Sequence, residues 1–481
     1  MRLLLFFKTI IVLLLTVFSI SAISLKLYDP SVLSDRIDTV RNSVAMYFYE
    51  RPVLKTGGEI NRDYIPFFKN LPDGYSYSGH LLTFTPENDT TLTQFADDSI
   101  RYTKYYRSHN YLKSFIAINE LKTDMLIKGN TYLVPNIEKP MVYNVFNNAN
   151  RDTFARSVYF SSKSINSAKM VKQLIKDYKT AGINSVVFDV KDVPGFFSYK
   201  SRVKEVIEYD SHKYRGTDDI TKMIRLLKEN GIYVIARISC FRDMHMTRNR
   251  PDWAIRNTDG SIWNHGKGEI WLDPTNNEVQ DYTIRVAEEA ASYGVDEIQF
   301  DYIRFPTEKE SLNAIYANHN GIMSRTDTIT GFLNKAYSRL KKMDVLVSID
   351  IFGVVAWGYE GDIKSTGQDI AKLSQYCDII CPMLYPSHFN NNFRGIAKPG
   401  DSPYYFISEG VTRVKKQSGK TMVRPWLQAF GWRVSNYNAS YIQEQIKASI
   451  DTKSEGYIFW NAKNSYDTVI EGMKGLNSLY K

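Results

Sequence analysis

Asp301 closes a run of β-forming residues, Glu297-Ile298-Gln299-Phe300-Asp301, and Tyr302-Ile303-Arg304-Phe305-Pro306 follows it. Gly294, just upstream, suits the position that ends a helix, and Pro306 stops regular structure. The stretch reads as helix, tight turn, strand, and then an acid where strand gives way to loop. In a parallel α/β barrel such strand ends carry the chemistry. A lone Asp there is as readily a helix cap or a turn residue, so the other strand ends decide the matter. Asp189 ends Ser185-Val186-Val187-Phe188-Asp189, Arg237 ends Ile232-Tyr233-Val234-Ile235-Ala236-Arg237, and Asp350 ends Val345-Leu346-Val347-Ser348-Ile349-Asp350. Successive side chains on a strand face opposite sides. Gln299 and Asp301 therefore share a face, as do Ser348 and Asp350, Ile235 and Arg237, and Val187, Asp189 and Lys191. Acids converging from several strands are costly unless they pair with cations or take part in a reaction.

Neighbouring strands lie roughly 4.8 Å apart. Carboxyls at adjacent strand ends can then sit about 5–5.5 Å apart, the separation of a retaining glycosidase pair; an inverting pair needs about 6.5–9.5 Å. In that scheme Asp301 attacks the anomeric carbon and Asp350 protonates the leaving oxygen. Repulsion between them raises one pKa, so one residue type supplies both an acid and a base. Asp189 joins this catalytic set, and Arg237 keeps the ionised member charged. The competing reading makes Asp189, Arg237 and Asp350 a structural ion-pair network under the barrel mouth. Expected substrate contacts are Arg237, Arg304, Tyr385, Gln428, Trp460, Asn461 and Trp271: polar groups for sugar hydroxyls and indoles for stacking. No Gly-x-Ser-x-Gly elbow, HExxH or Walker loop occurs, and His212 and His388 lack metal-ligand spacing. No cofactor and no metal are expected, although Asp-rich barrel mouths can bind calcium.

The elements that must position these groups alternate regularly from residue 156. Strands are expected at 157–160, 185–190, 232–238, 297–301, 345–350, 378–381, 422–427 and 456–460. Helices are expected near 167–181, 218–230, 276–293, 327–342 and 467–479. Eight strands in this span predict an α/β fold, a (β/α)8 TIM barrel over 151–481. An open doubly wound sheet is the alternative, but no Gly-rich phosphate turn follows the first strand. The loop 239–272 holds Trp253, Trp263, Trp271, His245 and His265 and could wall a sugar cleft. Ahead of the barrel, 24–150 read as a small accessory domain ending in a linker, 136–155.

Composition sets outer bounds. With 43% hydrophobic and 23% charged residues the chain can bury a large core and is not disordered. The net charge of +9 is scattered, without basic runs, so no nucleic-acid partner is expected. Three cysteines exclude a disulfide framework and a four-thiolate zinc site. Residues 1–23 combine Arg2 and Lys8, an apolar run from Thr9 to Ile20, and small residues at Ser19, Ser21 and Ala22. This pattern is a signal peptide or a single N-terminal membrane anchor. Both place the rest of the chain outside the cytoplasm: periplasm, cell surface or medium.

Five stretches carry a family resemblance: Val187-Phe188-Asp189-Val190-Lys191-Asp192, Ile235-Ala236-Arg237-Ile238, Trp271-Leu272-Asp273-Pro274, Gln299-Phe300-Asp301-Tyr302-Ile303-Arg304-Phe305-Pro306 and Pro382-Met383-Leu384-Tyr385-Pro386. Over about 155–475 the chain resembles a bacterial glycoside hydrolase family of barrel proteins distantly related to the α-amylase superfamily. The resemblance implies a (β/α)8 barrel acting on a glycan, with Asp301 at the nucleophile position ending strand four. That superfamily has Glu as the acid ending strand five and Arg two residues before the nucleophile; this chain has Asp350 and Gln299. Residues 111–136 resemble the second half of a LysM module, a type of unit that binds peptidoglycan or chitin. The expected function is an exported, retaining glycoside hydrolase acting on a polysaccharide or a peptidoglycan-type cell-envelope glycan. The alternatives are a non-catalytic envelope carbohydrate-binding protein using the same cleft, and a hydrolase of another polymer bond.

Overall fold

The computed structural model describes residues 73–78, 81–103, 105–135, 153–474 and 476, apart from 265–267, 309, 310, 312 and 318–323. All of these belong to one compact unit, residues 71–481. The expectations for residues 1–23, for most of the linker and for His265 fall outside the described residues. No helix among the described residues is long and apolar enough to cross a membrane.

Eight parallel strands close into a barrel. They are β1 Ala155–Phe160, β2 Ser185–Lys191, β3 Tyr233–Ser239, β4 Glu297–Asp301, β5 Leu346–Phe352, β6 Ile379–Met383, β7 (Met422–Val423 and Trp426–Gln428) and β8 Gly456–Trp460. Each pairs with the next, and β8 pairs with β1 through Gly456 opposite Ala155. Pro425 has no N–H to give the ladder, which is why β7 comes in two pieces. The outward-facing set, among it Val158, Val186, Phe188, Val234, Ala236, Ile298, Phe300, Val347 and Ile349, packs against the helices. The inward set holds Tyr159, Val187, Tyr233, Ile235, Ile379, Cys381, Trp426 and Ile458. Period-two alternation thus separates one sheet into a helix-facing core and a barrel interior. Side-chain caps start the helices where expected: Asn276 for Asn277–Ser292, Ser324 for Arg325–Leu340 and Asn438 for Ala439–Asp451. Gly294, at φ 87°, makes the turn into β4.

Two local expectations fail for physical reasons. The register of β2 slips between Asp189 and Lys191, so Lys191 stands opposite Ile238 and leaves the interior face that Asp189 occupies. Its ammonium is buried outside the barrel and donates to Asp243 at 2.8 Å. The loop 239–272 does not wall a cleft with its indoles. Trp253, Trp263 and Trp271 are all buried, because an excursion of this length fills its own interior with its apolar side chains.

The floor of the barrel is charged. Arg424 donates to Glu297 at 2.8 and 3.0 Å, Tyr233 donates to the same carboxylate at 2.9 Å, and both charged side chains are fully buried. Removing one partner strands the other charge in the interior. Glu297→Gln is therefore expected to destabilise the barrel by about 3–5 kcal/mol, read as a lower denaturant midpoint with an unchanged m-value.

Ahead of the barrel, Tyr75–Ser78, Leu81–Phe84 and Tyr132–Val134 form an antiparallel sheet, with helices Leu92–Ser99 and Ser108–Ile118 between the last two strands. Asn119 fastens the end of the second helix to the last strand. It accepts from the Leu133 N–H at 2.7 Å and donates to the Leu133 carbonyl at 2.9 Å. This segment is clamped onto the barrel: Ser108 N donates to Asp218 at 2.7 Å, and Arg107 donates to the Arg215 carbonyl at 2.7 Å.

Candidate active site

The C-terminal strand ends converge on Arg237. On β2, Asp189 is its direct register partner. On β4, Asp301 lies two residues beyond the partner Gln299. On β5, Asp350 follows Ile349, which pairs with Phe300, so Asp350 and Asp301 are next in line on neighbouring strands. The guanidinium donates from Nη1 to Asp189 at 2.5 Å, from Nε to Asp301 Oδ2 at 3.0 Å and from Nη2 to that same oxygen. Its Nε stands 3.9 Å from Asp350 Oδ2. One arginine thus links all three expected acids.

The three acids differ in environment. Asp301 faces the cavity. Its Oδ1 accepts from the N–H of Tyr302 at 2.5 Å. Tyr302 itself adopts φ 50°, a left-handed conformation costing roughly 1–2 kcal/mol for a side-chain-bearing residue. Backbone strain of this kind collects at functional sites. Asp189 lies behind Arg237, with its second oxygen taken by the Tyr159 hydroxyl at 2.5 Å, and burial holds its pKa above the usual carboxylate range. It does not line the cavity. Asp350 is 1% exposed and does not line the cavity either, lying beneath it beside Asp301. Trp426 donates to its Oδ1 at 2.6 Å, while its Oδ2 is buried without a hydrogen-bond partner. Burial first, and then the neighbouring Asp301 charge, push its pKa well above the ordinary value. A buried carboxyl oxygen without a donor fits the protonated acid.

Above Asp301 opens a cavity of about 630 Å3. Its wall includes Arg237, Arg304, Tyr385 and Trp460 from the expected substrate contacts. The other three do not reach it. Gln428 is buried and spends its amide on the loops, accepting from Ser387 N at 3.1 Å and donating to the Phe430 carbonyl at 2.9 Å. Asn461 donates to the Ala429 carbonyl at 2.5 Å and accepts from Lys463 N at 2.8 Å. Trp271 is buried beneath Arg304, 4.8 Å from ring centre to guanidinium. In each case a polar or aromatic strand-end residue secures the loops and leaves contact with the cavity to its neighbours.

Several wall residues carried no clear signal in the sequence. Arg242, Tyr302, Phe389 and Phe393 come from the turns and loops after the strands, where neither parity nor periodicity operates, while Phe352 is the last residue of β5. Asp362, a second carboxyl in the wall, sits in the first turn of a short helix, where a cap or a solvated acid is the ordinary expectation. Burial raises its pKa too. Tyr159 and Trp426 were accessible to the parity argument, since both occupy inward positions near strand ends. His388 also lines the cavity, 5.1 Å from Tyr385 and 5.5 Å from Trp432, ring centre to ring centre. Gly353 lies so close to β6 that a Cβ would stand 2.4 Å from the Met383 carbonyl oxygen. Among the described residues no cluster of three or more acids, histidines or cysteines could hold a metal ion.

Comparison with known proteins places this geometry in context. A hypothetical protein from Ruminiclostridium thermocellum is 31% identical over 40% of this chain and 96% of its own, with a TM-score of 0.36. The spore cortex-lytic enzyme SleL of Bacillus cereus is 12% identical over 82% of this chain and 87% of its own (TM-score 0.38). Alpha-L-fucosidase isoenzyme 2 of Paenibacillus thiaminolyticus is 13% identical over 66% of this chain and 48% of its own (TM-score 0.44). No functionally curated protein matches the chain at a significant level. Residues 157–466, which take in every strand end described above, match the family described as a putative glycosyl hydrolase domain, and the chain belongs to that glycoside hydrolase family.

Proposed function

We propose that this glycosidase is exported and cleaves a polysaccharide or cell-envelope glycan with retention, using Asp301 as nucleophile and Asp350 as acid/base. The observation that carries the reading is the asymmetry of two neighbouring carboxyls. Asp301 is held at the cavity by Arg237 and the Tyr302 N–H, while Asp350 beside it is buried, with Oδ2 free to bear a proton. Adjacent strand ends suit the short separation of a retaining pair. Asp301 attacks the anomeric carbon as the glycosidic bond breaks, and the proton of Asp350 goes to the leaving oxygen. Water then releases the sugar from Asp301 and returns a proton to Asp350. Asp189 and Tyr159 hold Arg237, so the guanidinium keeps one position while charge moves on Asp301.

A polymeric substrate is supported by aromatic surface running outward from the cavity. His388 in the wall contacts Trp432, which is 56% exposed and has Arg433 over its ring. Stacking on an exposed indole is worth about 1 kcal/mol. Trp432→Ala should raise KM for a polymer about fivefold and leave KM for a small aryl glycoside unchanged. The apolar run in 1–23 supports export or anchoring, and the LysM-like stretch supports retention on a cell-wall glycan.

The test is reducing-end release from a panel of cell-wall and exopolysaccharide glycans by the wild type beside Asp301→Asn. Release by the wild type alone supports the reading. Equal release by both removes Asp301 from the chemistry, and release by neither from any glycan removes the proposed substrate class.

A further inference from the structure

Arg304 is a guanidinium without a counter-ion. It is buried and lines the cavity, yet no carboxylate among the described residues is in ion-pair contact with it. The other arginines of the wall are paired, Arg237 with Asp189 and Asp301, and Arg242 with Glu269 at 2.6 Å. The hydrogen bond of Arg304 within the protein runs from Nη1 to the Phe305 carbonyl at 2.9 Å. Aromatic rings surround it: Phe352 lies 4.1 Å, Trp271 4.8 Å and Tyr302 5.4 Å from the guanidinium carbon, measured to ring centres. Rings satisfy no N–H, so the remaining in-plane N–H groups are left for a ligand. A planar carboxylate meets a guanidinium edge with two parallel hydrogen bonds. Burial pushes the Arg304 pKa down to about 10, outweighing the charges of Asp301 and Glu308, which act on it without forming an ion pair. It stays charged at neutral pH all the same, and a charge left this way in the interior is costly until an anion arrives.

We infer that Arg304 is the receptor for a sugar carboxylate, and that the glycan cleaved by this enzyme is acidic, carrying a uronate or a carboxyl-bearing ether next to the scissile bond. The inference rests on the glycosidase reading of the cavity. Arg304 follows Asp301 by three residues on the same turn, so the charged group it selects lies close to the reacting sugar.

The test uses full-length Asp301→Asn protein, so that no probe is consumed. Oligosaccharides of hyaluronan, polygalacturonate and peptidoglycan glycan strands are each offered beside a carboxyl-reduced counterpart, and affinities are measured by calorimetry. A charge-assisted pair should make the acidic member of at least one pair bind about tenfold or more tightly. Adding Arg304→Gln should abolish that preference, and Arg304→Lys should restore part of it. Equal binding within every pair, or binding of none, overturns the inference, and neither outcome depends on how well the Arg304 variants fold. Reducing-end release by the wild type from the same panel separates this claim from the one beneath it. Acid-selective binding without release leaves Arg304 as a carboxylate receptor and removes the hydrolase chemistry. Equal release from acidic and reduced members does the reverse.

Discussion

Asp301→Asn is expected to lower kcat on the order of 10⁴-fold, the scale of losing a nucleophile from a site whose other parts remain, while substrate binding is retained. The substitution is nearly isosteric. The amide oxygen can still accept from Arg237, and Arg237 keeps the charge of Asp189 at 2.5 Å, so the guanidinium is not stranded. The measurement is kcat and KM on whichever glycan the wild type cleaves, beside the melting temperature of both proteins. A variant that keeps its fold and its KM but not its turnover places Asp301 on the reacting carbon. Asp301→Ala adds a sharper observation. With the carboxylate gone, azide can enter the vacated space and attack from the same side, restoring turnover and yielding a glycosyl azide of inverted configuration. Absence of that rescue, with the fold intact, would argue for direct attack by water and against a covalent intermediate.

The barrel was legible because its signals are periodic. Inward and outward residues alternate along β2 to β5, and the helices between carry Asn or Ser at their starts and Gly294 at a turn. The same alternation, with the strand ends, brings Asp189, Arg237, Asp301 and Asp350 to one level from the sequence alone. It failed at Lys191 because a β-bulge is one inserted residue with no compositional mark, and it reverses the face of whatever follows. It was silent on the cavity wall beyond the strand ends, where Phe389 and Phe393 belong to loops whose path depends on long-range packing. Trp271, Gln428 and Asn461 have the chemistry of sugar contacts, but residue type alone cannot distinguish an amide facing a ligand from one holding a carbonyl. In the accessory segment the strand Leu81–Phe84 was missed. It is four residues long, and its partner Tyr132–Val134 lies across two helices in the sequence.

The position of Arg237 explains why three acids can share one small volume. Its one positive charge is shared by hydrogen bonds to two of them, and burial raises the pKa of Asp189 and of Asp350, so the three need not all be charged. A buried acid with a raised pKa affects both rate and stability, and the two readouts can be separated. Asp350→Asn should reduce kcat about 10²–10⁴-fold on a glycan, the range for a lost general acid. It should cost far less on an aryl glycoside whose leaving group needs no proton. In the wild type the rate falls as pH rises through the folded-state pKa of Asp350, because the proton to be donated is gone; in the variant this alkaline limb should flatten.

Stability follows with the sign worked out. The folded pKa of Asp350 lies above its unfolded value, so the native state holds more protons than the unfolded one between the two. Wild-type stability therefore falls as pH rises from the unfolded pKa of about 3.9 toward the folded one. Asn has no such penalty, and it keeps the acceptor that Trp426 uses at 2.6 Å. The melting temperature of Asp350→Asn relative to wild type should thus climb with pH across that window and converge with it in acid. Asp362→Asn is the control, because Asp362 also lines the cavity with a pKa raised by burial. If the alkaline limb and the leaving-group dependence follow Asp362 instead, the proton comes from the cavity wall. Asp350 is then left to hold Trp426 and to steady the Asp301–Arg237 pair by staying neutral.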